Sequence, residues 1–420
     1  MTTLAAARDS LMSTFATLRT EALDARAAGD HARAADAWRA LLDHAPEDPA
    51  LALELKHDLR AGLHYPDSDP RFRRAARFLP DDAWLAHYSA LYAFHGSDLD
   101  AIAARATVLH ARWPGDPRLD AIRGDVARQR RDWPTAERAF RAAARLHPHR
   151  TDWAAQADDA ARYAALAAQP MPAQGTPYAI SVLNLDRNPE RMVEIERQFV
   201  TTLAPWHRIP GIEGSRLPAS AVARLTGSPQ SPRGTLGCFL SHAAAWEALL
   251  SRGDPAALIV EDDVIPLLDL PARLAGPLDP AGYDILFVND RLAPRHFPGG
   301  ATAGLSSEPL ATAMQAFHPD NNAPGADGYV LTAPAASTLL AWVERDGMAG
   351  DVDWRLLAYA LTPNDIATLA PHAHARYELT RYAAAIPRPD RLRARVLTPA
   401  LIRTVGVSSD REDQNRLHPS

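Results

Sequence analysis

Over the first 168 residues apolar positions recur at helical spacing, with few β-branched runs, and predict an all-α region. The pattern then changes. "YAISVLNL" (178–185) is a nearly unbroken apolar run and predicts a buried strand. Asn188 then caps a helix with Pro189 at its first position, and Met192, Ile195 and Phe199 share one face. "TLGCFLSHAAAWEALLS" (235–251) predicts a helix, stopped by Gly253-Asp254-Pro255. "ALIV" (257–260), "YDILFV" (283–288) and "GYVLT" (328–332) predict further strands, and Pro334 opens the helix "AASTLLAWVE". Strand–helix alternation argues for an α/β sheet with helices on both faces. "AAQPMPAQGTP" (167–177) has the composition of a linker. The pattern thus predicts a helical domain over 1–168, a linker over 169–177, an α/β domain over 178–410 and a flexible tail over 411–420. The stretch 291–327, rich in Pro, Gly and Ser, reads as one long loop. Residues 386–398 are Arg-rich, with Arg388, Arg391, Arg393 and Arg395.

The helical region repeats itself. Pro46, Pro80, Pro114 and Pro148 are each 34 apart (80−46, 114−80, 148−114). Asp30, Asp98 and Asp132 are related by multiples of 34, as are Trp38, Phe72, Ala106 and Phe140, and Leu41, Ala75, Leu109 and Ala143. These columns resemble the tetratricopeptide (TPR) repeat, a helix-turn-helix unit of that length that buries its apolar face by stacking. "AGDHARAADAWRALLDHAP" and "QRRDWPTAERAFRAAARLHP" are the best copies. An irregular helical bundle is the alternative.

Composition narrows the picture less. The chain has 420 residues, 47% hydrophobic and 23% charged, ample for two or three cores. A net charge of −6 gives no general attraction to nucleic acid or anionic membrane. Cys238 is the sole cysteine, which excludes an intrachain disulfide and fits a reducing compartment. The first residues do not read as a secretory signal, and no window approaches 18 apolar residues. A cytoplasmic protein is expected. Heavy Ala and Pro use with one lysine, Lys56, suggests a bacterial, GC-rich source.

The chemistry concentrates at "ALIVEDDVIP" (257–266), where a hydrophobic strand runs into Glu261, Asp262 and Asp263. In open α/β sheets the ligand sits beyond the carboxyl ends of the strands. If the segment stays extended, Glu261 and Asp263 face one cleft and Asp262 points elsewhere. Crowded carboxylates are costly unless a cation or hydrogen bonds compensate. A hard divalent ion, Mn²⁺ or Mg²⁺, suits an all-oxygen pair. Taken alone, the triplet fits a solvated acidic turn or a helix cap as well.

Four blocks in order resemble glycosyltransferase family 25, of the lipooligosaccharide and collagen galactosyltransferase type. They are "ISVLNLDRNPERM", "GTLGCFLSHAAAWEAL", "ALIVEDDV", and "YDILFV" with "GYVLTAPAASTLL" and "GDVDW", covering 178 to about 410. The resemblance implies a GT-A-type nucleotide-sugar-binding fold, a nucleoside-diphosphate sugar donor and inverting transfer of a hexose to a hydroxyl of a glycan, lipid or protein acceptor. UDP-galactose and UDP-glucose are the donors it suggests, and lipopolysaccharide biosynthesis the setting.

Carried over by position, the resemblance gives Glu261 and Asp263 the metal and diphosphate role, with Asp262 beside the donor. Asn184, Asp186 and Arg187 fall where such folds hold base and ribose; simple polarity at a strand exit is the alternative. Ser241 and His242 become donor contacts, although a helical His beside Trp246 equally suits a structural hydrogen bond. Cys238 reads as a small core residue. Inverting transfer needs a carboxylate to take the acceptor proton. "GDVDW" offers Asp351 and Asp353; the family pattern of Asp before an aromatic selects Asp353, with Trp354 as a wall for a sugar ring. Both Asp residues also suit helix N-capping, Asp351 above all. His372 and His374 are candidates for a further metal ligand. The sequence departs from the family in "SPQSPRG", in 291–327 and in the glycine before Tyr329, so the acceptor stays open. The helical repeats offer a surface for a protein or peptide partner, the acceptor included. The rival reading is a scaffold whose transferase-like domain is silent.

Overall fold

The computed structural model describes residues 2–61, 66, 69–89, 98–169, 178–199, 205–268, 282–292, 304–316, 325–369, 373–385 and 390–404. The chain divides into two compact units, the first ending at Asp158 and the second running from Asp159 to Thr404.

The first unit is helical: α1 (Thr2–Ala27), α2 (His31–His44), α3 (Pro49–Ala61), α4 (Pro70–Ala76), α5 (Asp81–Tyr88), α6 (Leu99–Arg112), α7 (Pro117–Gln129), α8 (Trp133–Leu146) and the start of α9 (Thr151–Ala167). The periodic columns have physical meaning here. Asp30, Asp98 and Asp132 are the N-caps of α2, α6 and α8, accepting the backbone N–H of Arg33, Ala101 and Thr135. Each such cap stabilises its helix by about 1 kcal/mol. Trp38, Phe72, Ala106 and Phe140 are all buried, as are Leu41, Ala75, Leu109 and Ala143. Before two of these caps the chain turns left-handed. Gly29 does so at φ 78°, and Arg131, three repeats on (131−29 = 3×34), at φ 59°. Under this core sits Asp58, fully buried. It accepts from Arg26 Nη2 at 2.6 Å and Trp38 Nε1 at 2.8 Å, and lies 2.8 Å from His31 Nδ1. Burial alone would raise its pKa; the hydrogen bonds from Arg26, His31 and Trp38 outweigh that and hold it below the ordinary carboxylate range.

The second unit is a mixed sheet with helices. Its strands are β1 (Ala179–Asn184), β2 (Trp206–Pro210), β3 (Ala256–Glu261), β4 (Val264–Pro266), β5 (Ile285–Phe287), β6 (Ser306–Pro309), β7 (Gly328–Thr332), β8 (Ala394–Thr398) and β9 (Ile402–Thr404). Seven form one sheet in the order β2-β1-β3-β7-β5-β8-β6; β4 and β9 pair separately. β1 is parallel to β2 and β3, and β5 is parallel to β8, whereas β7 runs antiparallel between β3 and β5. The helices are α10 (Pro189–Phe199), α11 (Ala219–Thr226), α12 (Arg233–Arg252), α13 (Leu310–Ala313), α14 (Ala333–Asp346), α15 (Val352–Ala360), α16 (Pro363–Thr368) and α17 (Ala373–Ala384). Met192, Ile195 and Phe199 of α10 are buried together, and Gly253 ends α12 at φ 72°.

The division between the units falls inside α9. Its second half belongs to the sheet unit, where the buried Tyr163 Oη donates to the Ala400 carbonyl at 2.7 Å. The expected linker lies, from residue 170, outside the described residues, as does the tail. One expectation changes, and one charged stretch proves to hold a strand. Residues 291–327 are not one loop, because Ser306–Pro309 pairs antiparallel with β8 as an edge strand and is followed by helical turns. The Arg-rich stretch contains β8, whose Ala394, Val396, Leu397 and Thr398 are buried while Arg393 and Arg395 pair with Asp284 and Ser307.

Candidate active site

Sheet topology gathers the polar residues at one edge. β1 and β3 end there at Asn184 and Glu261, β5 leads into Asn289, and antiparallel β7 starts there just after Asp327. The Glu261 backbone N–H donates to the Asp327 carbonyl at 3.2 Å, and Val288 N–H to the Gly328 carbonyl at 3.1 Å. Three clusters meet at this edge.

The first is a brace. Asp262 is buried, with Oδ2 accepting from Asn184 Nδ2 at 2.7 Å and Oδ1 from Arg191 Nη1 at 3.0 Å. Asn184 also donates to the Asn188 carbonyl at 3.0 Å and accepts from Arg208 Nε at 2.8 Å. Arg208 reaches on to Asp186, while Arg187 pairs with Glu213 at 2.9 Å. The extended alternation expected across 261–263 does not occur. β3 stops at Glu261, and Asp262 and Asp263 form a turn into β4, so the two-residue period has no strand to act on.

The second cluster is acidic, with Arg291 in its midst. Asp263 Oδ1 is buried without a hydrogen-bond partner. Burial, followed by the charges of Glu261 and Asp262, pushes the Asp263 carboxyl up to about 8. Asp327, 2% exposed, accepts from Asn289 Nδ2 at 3.0 Å and Arg291 Nε at 3.1 Å. Burial still pushes it up to about 7, with the charges of Glu261, Asp290 and Asp353 adding to the rise against Arg291. Arg291 is raised in turn, first by Asp327, then by Asp353, Asp263 and Glu261. Asp353 Oδ1 accepts the Ala326 N–H at 3.0 Å, which ties the start of α15 to the segment before β7. Asp353 is thus brought to Glu261 and Asp263, which precede it by 90 residues or more in sequence. Asn289, Arg291 and Asp327 were missed. For Asn289 and Arg291 the signal was the polar run "NDR" after an apolar strand, the same form as "EDD" after "ALIV"; Asp327, just ahead of "GYVLT", had no such signal.

The third cluster lies on α12. His242 is fully buried, its Nδ1 2.9 Å from Tyr329 Oη, which also accepts from Trp246 Nε1 at 2.9 Å. Ser241 Oγ donates to the Gly237 carbonyl and accepts the Ile212 N–H, each at 2.8 Å. It fastens α12 to the loop after β2.

Around "GDVDW" the geometry corrects two expectations. Asp351 stands at the N-cap position of α15 but makes no side-chain cap; its backbone N–H donates to Tyr382 Oη at 2.7 Å. Trp354 is 5% exposed, packed in the core and edge-on to His374, so no face is left for a sugar. His374 does not join the ligating groups found among the described residues, and His372 lies outside those residues.

Parts of the chain are similar to known proteins. Residues 178–270 match the family model described as glycosyltransferase family 25 (LPS biosynthesis protein). The chain is 29% identical over 123 residues to a glycosyltransferase 25 family member of Aedes aegypti, covering 26% of this chain and 20% of that one. It is 26% identical over 159 residues to the human inactive glycosyltransferase 25 family member 3, covering 32% and 27%. A glycosyltransferase 25 family member of Drosophila pseudoobscura pseudoobscura is 30% identical over 96 residues, covering 20% and 15%. The matches therefore span less than a third of each relative's own length. The matched segment holds Asn184, Ser241, His242 and the acidic triplet; Asp327 and Asp353 lie beyond it.

Proposed function

We propose that the second unit, whose residues 178–270 match the glycosyltransferase family 25 model, moves a hexose from a nucleoside-diphosphate donor to an acceptor hydroxyl, with inversion. The observation that carries this reading is the gathering of Glu261, Asp263, Asp327 and Asp353 around Arg291 at one sheet edge. Asp353 takes the acceptor proton on its carboxylate as the new bond forms, held in place by the Ala326 N–H. Asp351 is next in line for that role. Asn184, Asp186, Arg187, Ser241, His242 and Asp262 shape the donor side, several of them by orienting neighbours rather than by touch.

Glu261 and Asp263 would hold Mn²⁺ or Mg²⁺. The fit rests on the buried, unpartnered Asp263 Oδ1 and an all-oxygen donor pair. When bound, such an ion neutralises charge on a diphosphate leaving group. In fold terms this reading takes the sheet unit as GT-A-type and the helices as TPR-like, supported by the cap and core columns. The helical unit would dock an acidic peptide. It has a groove of about 500 Å³ lined by Arg73, Arg74, Arg77, Arg105, Trp84 and Tyr88. A cytoplasmic site of action belongs to the same reading. Among the described residues no helix is long and apolar enough to cross a membrane.

A second reading, a scaffold with a silent transferase unit, draws on the relative whose name marks it inactive. One experiment separates the two. The full chain is incubated with a panel of nucleotide sugars and Mn²⁺, and released nucleoside diphosphate is measured. Release that falls by about 10²–10⁴-fold in Asp353→Asn, with donor affinity kept, supports transfer by the proposed base. No release from any donor favours the scaffold.

A further inference from the structure

We propose that Cys238, His242 and Glu261 form a binding site for a thiophilic divalent cation, zinc or an ion of similar ligand preference. Cys238 and His242 stand four residues apart on α12 and so share one face of the helix. Glu261 ends β3 beside them. A cysteine sulfur, an imidazole nitrogen and a carboxylate oxygen from the three all lie within 4.8 Å of one another.

A second observation points to a ligand. His242 is completely buried, yet its Nε2 has no hydrogen-bond partner. The other nitrogen, Nδ1, is held by Tyr329 Oη at 2.9 Å. Such a hold is the orienting contact that metal-bound histidines use, and it leaves Nε2 to face the site. Nε2 is 3.5 Å from Glu261 Oε1. That is long for a hydrogen bond. It is close to the edge of a tetrahedral zinc site, where bonds of about 2.0–2.1 Å set neighbouring N and O ligand atoms about 3.4 Å apart. The donor set of sulfur, nitrogen and oxygen favours Zn²⁺ or Co²⁺ over Mg²⁺ or Mn²⁺. Three protein ligands leave a fourth position open to water or a small ligand. Binding selects the tautomer in which Nδ1–H donates to Tyr329. Asp263 is not in this group, so Glu261 is the only residue shared with the oxygen pair proposed for a hard ion. The site stands whether or not the chain transfers sugar.

The test uses the full chain, reduced and freed of metal, with Co²⁺ as the probe. Ligation by Cys238 should produce a sulfur-to-cobalt charge-transfer band that saturates at one ion per chain. Cys238→Ser should abolish the band. His242→Gln should weaken Co²⁺ binding by at least the about 10–100-fold that losing even a supporting contact costs. A readout on the unmodified chain guards against misfolded variants. Cys238 is the only cysteine, so its alkylation rate can be followed by intact mass. Zn²⁺ should slow alkylation at concentrations where Mg²⁺ does not. Cobalt binding without the sulfur band overturns the proposal. So does a thiol that Zn²⁺ fails to protect, or that Mg²⁺ protects equally.

Discussion

Gly237→Ala should destabilise the sheet unit, although a helix interior normally favours alanine. Gly237 lies in α12, where replacing glycine gains about 1 kcal/mol of helix propensity. The structure opposes that gain. A Cβ at Gly237 would meet the Ile212 carbonyl oxygen at 2.5 Å, Gly214 N at 2.7 Å and Gly214 Cα at 3.0 Å. All three are backbone atoms, so no side-chain rotation relieves the contact. Ordinary C···O contacts begin at about 3.3 Å, and the helix or the loop must therefore yield by roughly 0.8 Å. Overpacking of this kind costs about 1–3 kcal/mol. The shift also strains the Ile212 N–H to Ser241 Oγ bond of 2.8 Å, worth about 1 kcal/mol. The net loss is about 2 kcal/mol, or roughly 4–8 °C in melting temperature for a unit of this size. Scanning calorimetry of the full chain measures it. A melting temperature that rises in Gly237→Ala would show that α12 does not approach the loop so closely. The close seating of α12 on the loop after β2, which Ser241 fastens, would then fall.

Other outcomes follow from the same contacts. Asp58→Ala removes the carboxylate shared by Arg26, His31 and Trp38 and should cost the helical unit about 3–5 kcal/mol in denaturant unfolding; a loss below 1 kcal/mol would refute its hub role. Since the folded pKa of Asp58 is depressed, its stabilisation is present above the ordinary carboxylate pKa of about 3.9 and lost as pH falls through the folded value. The acid limb of a pH–stability curve should accordingly be shallower in Asp58→Asn. Arg131→Gly should stabilise the helical unit by up to about 1 kcal/mol, because Arg131 adopts a left-handed conformation at φ 59°; an unchanged midpoint would count against strain there. A fragment starting near residue 151 should be more stable than one starting near 175, which lacks Tyr163 and its bond to Ala400; equal melting temperatures would mean that α9 adds nothing to the sheet unit.

Much of the fold was legible because local physics and tertiary packing agreed. The 34-residue columns could be read since caps and core positions obey the same period in sequence and in space. β1, β3 and β7 could be read as apolar runs because they lie inside the sheet and are buried on both faces. The strands that escaped lack that signature. β6 is "SSEP", a half-exposed edge strand whose only advertisement is its partner β8. β8 was hidden by arginines, which read as a charged stretch although they alternate with buried residues. The brace of Asn184, Asp262 and Arg191 joins residues up to 78 positions apart and leaves no local trace. The turn at Asp262-Asp263 stood only as an alternative to an extended segment for a related reason. No glycine or proline marks it, and only the pairing of β4 with β9 requires the chain to bend there.

The same reasoning bears on why a hydrophobic strand should run into crowded carboxylates. Asp262 alone is explained by structure, since two donors satisfy it and its removal would unlatch α10 from the sheet edge. Asp263 is not explained that way, because one of its oxygens is buried with no donor. Asp327 is only partly explained, because Arg291 and Asn289 hold it and burial still raises its pKa. A fold selected for stability alone would place an amide or an apolar residue at such positions, since an unpartnered buried polar atom costs about 1–3 kcal/mol. Local rules broken without internal compensation mark sites where something outside the chain completes the balance. The carboxylates lie where an antiparallel strand is inserted between β3 and β5, at the carboxyl ends of its neighbours. That topology brings Asp327 and Asp353 to Glu261 and Asp263. A solvated acidic turn would need none of this convergence, which is why the geometry weighs against that alternative where the bare triplet did not.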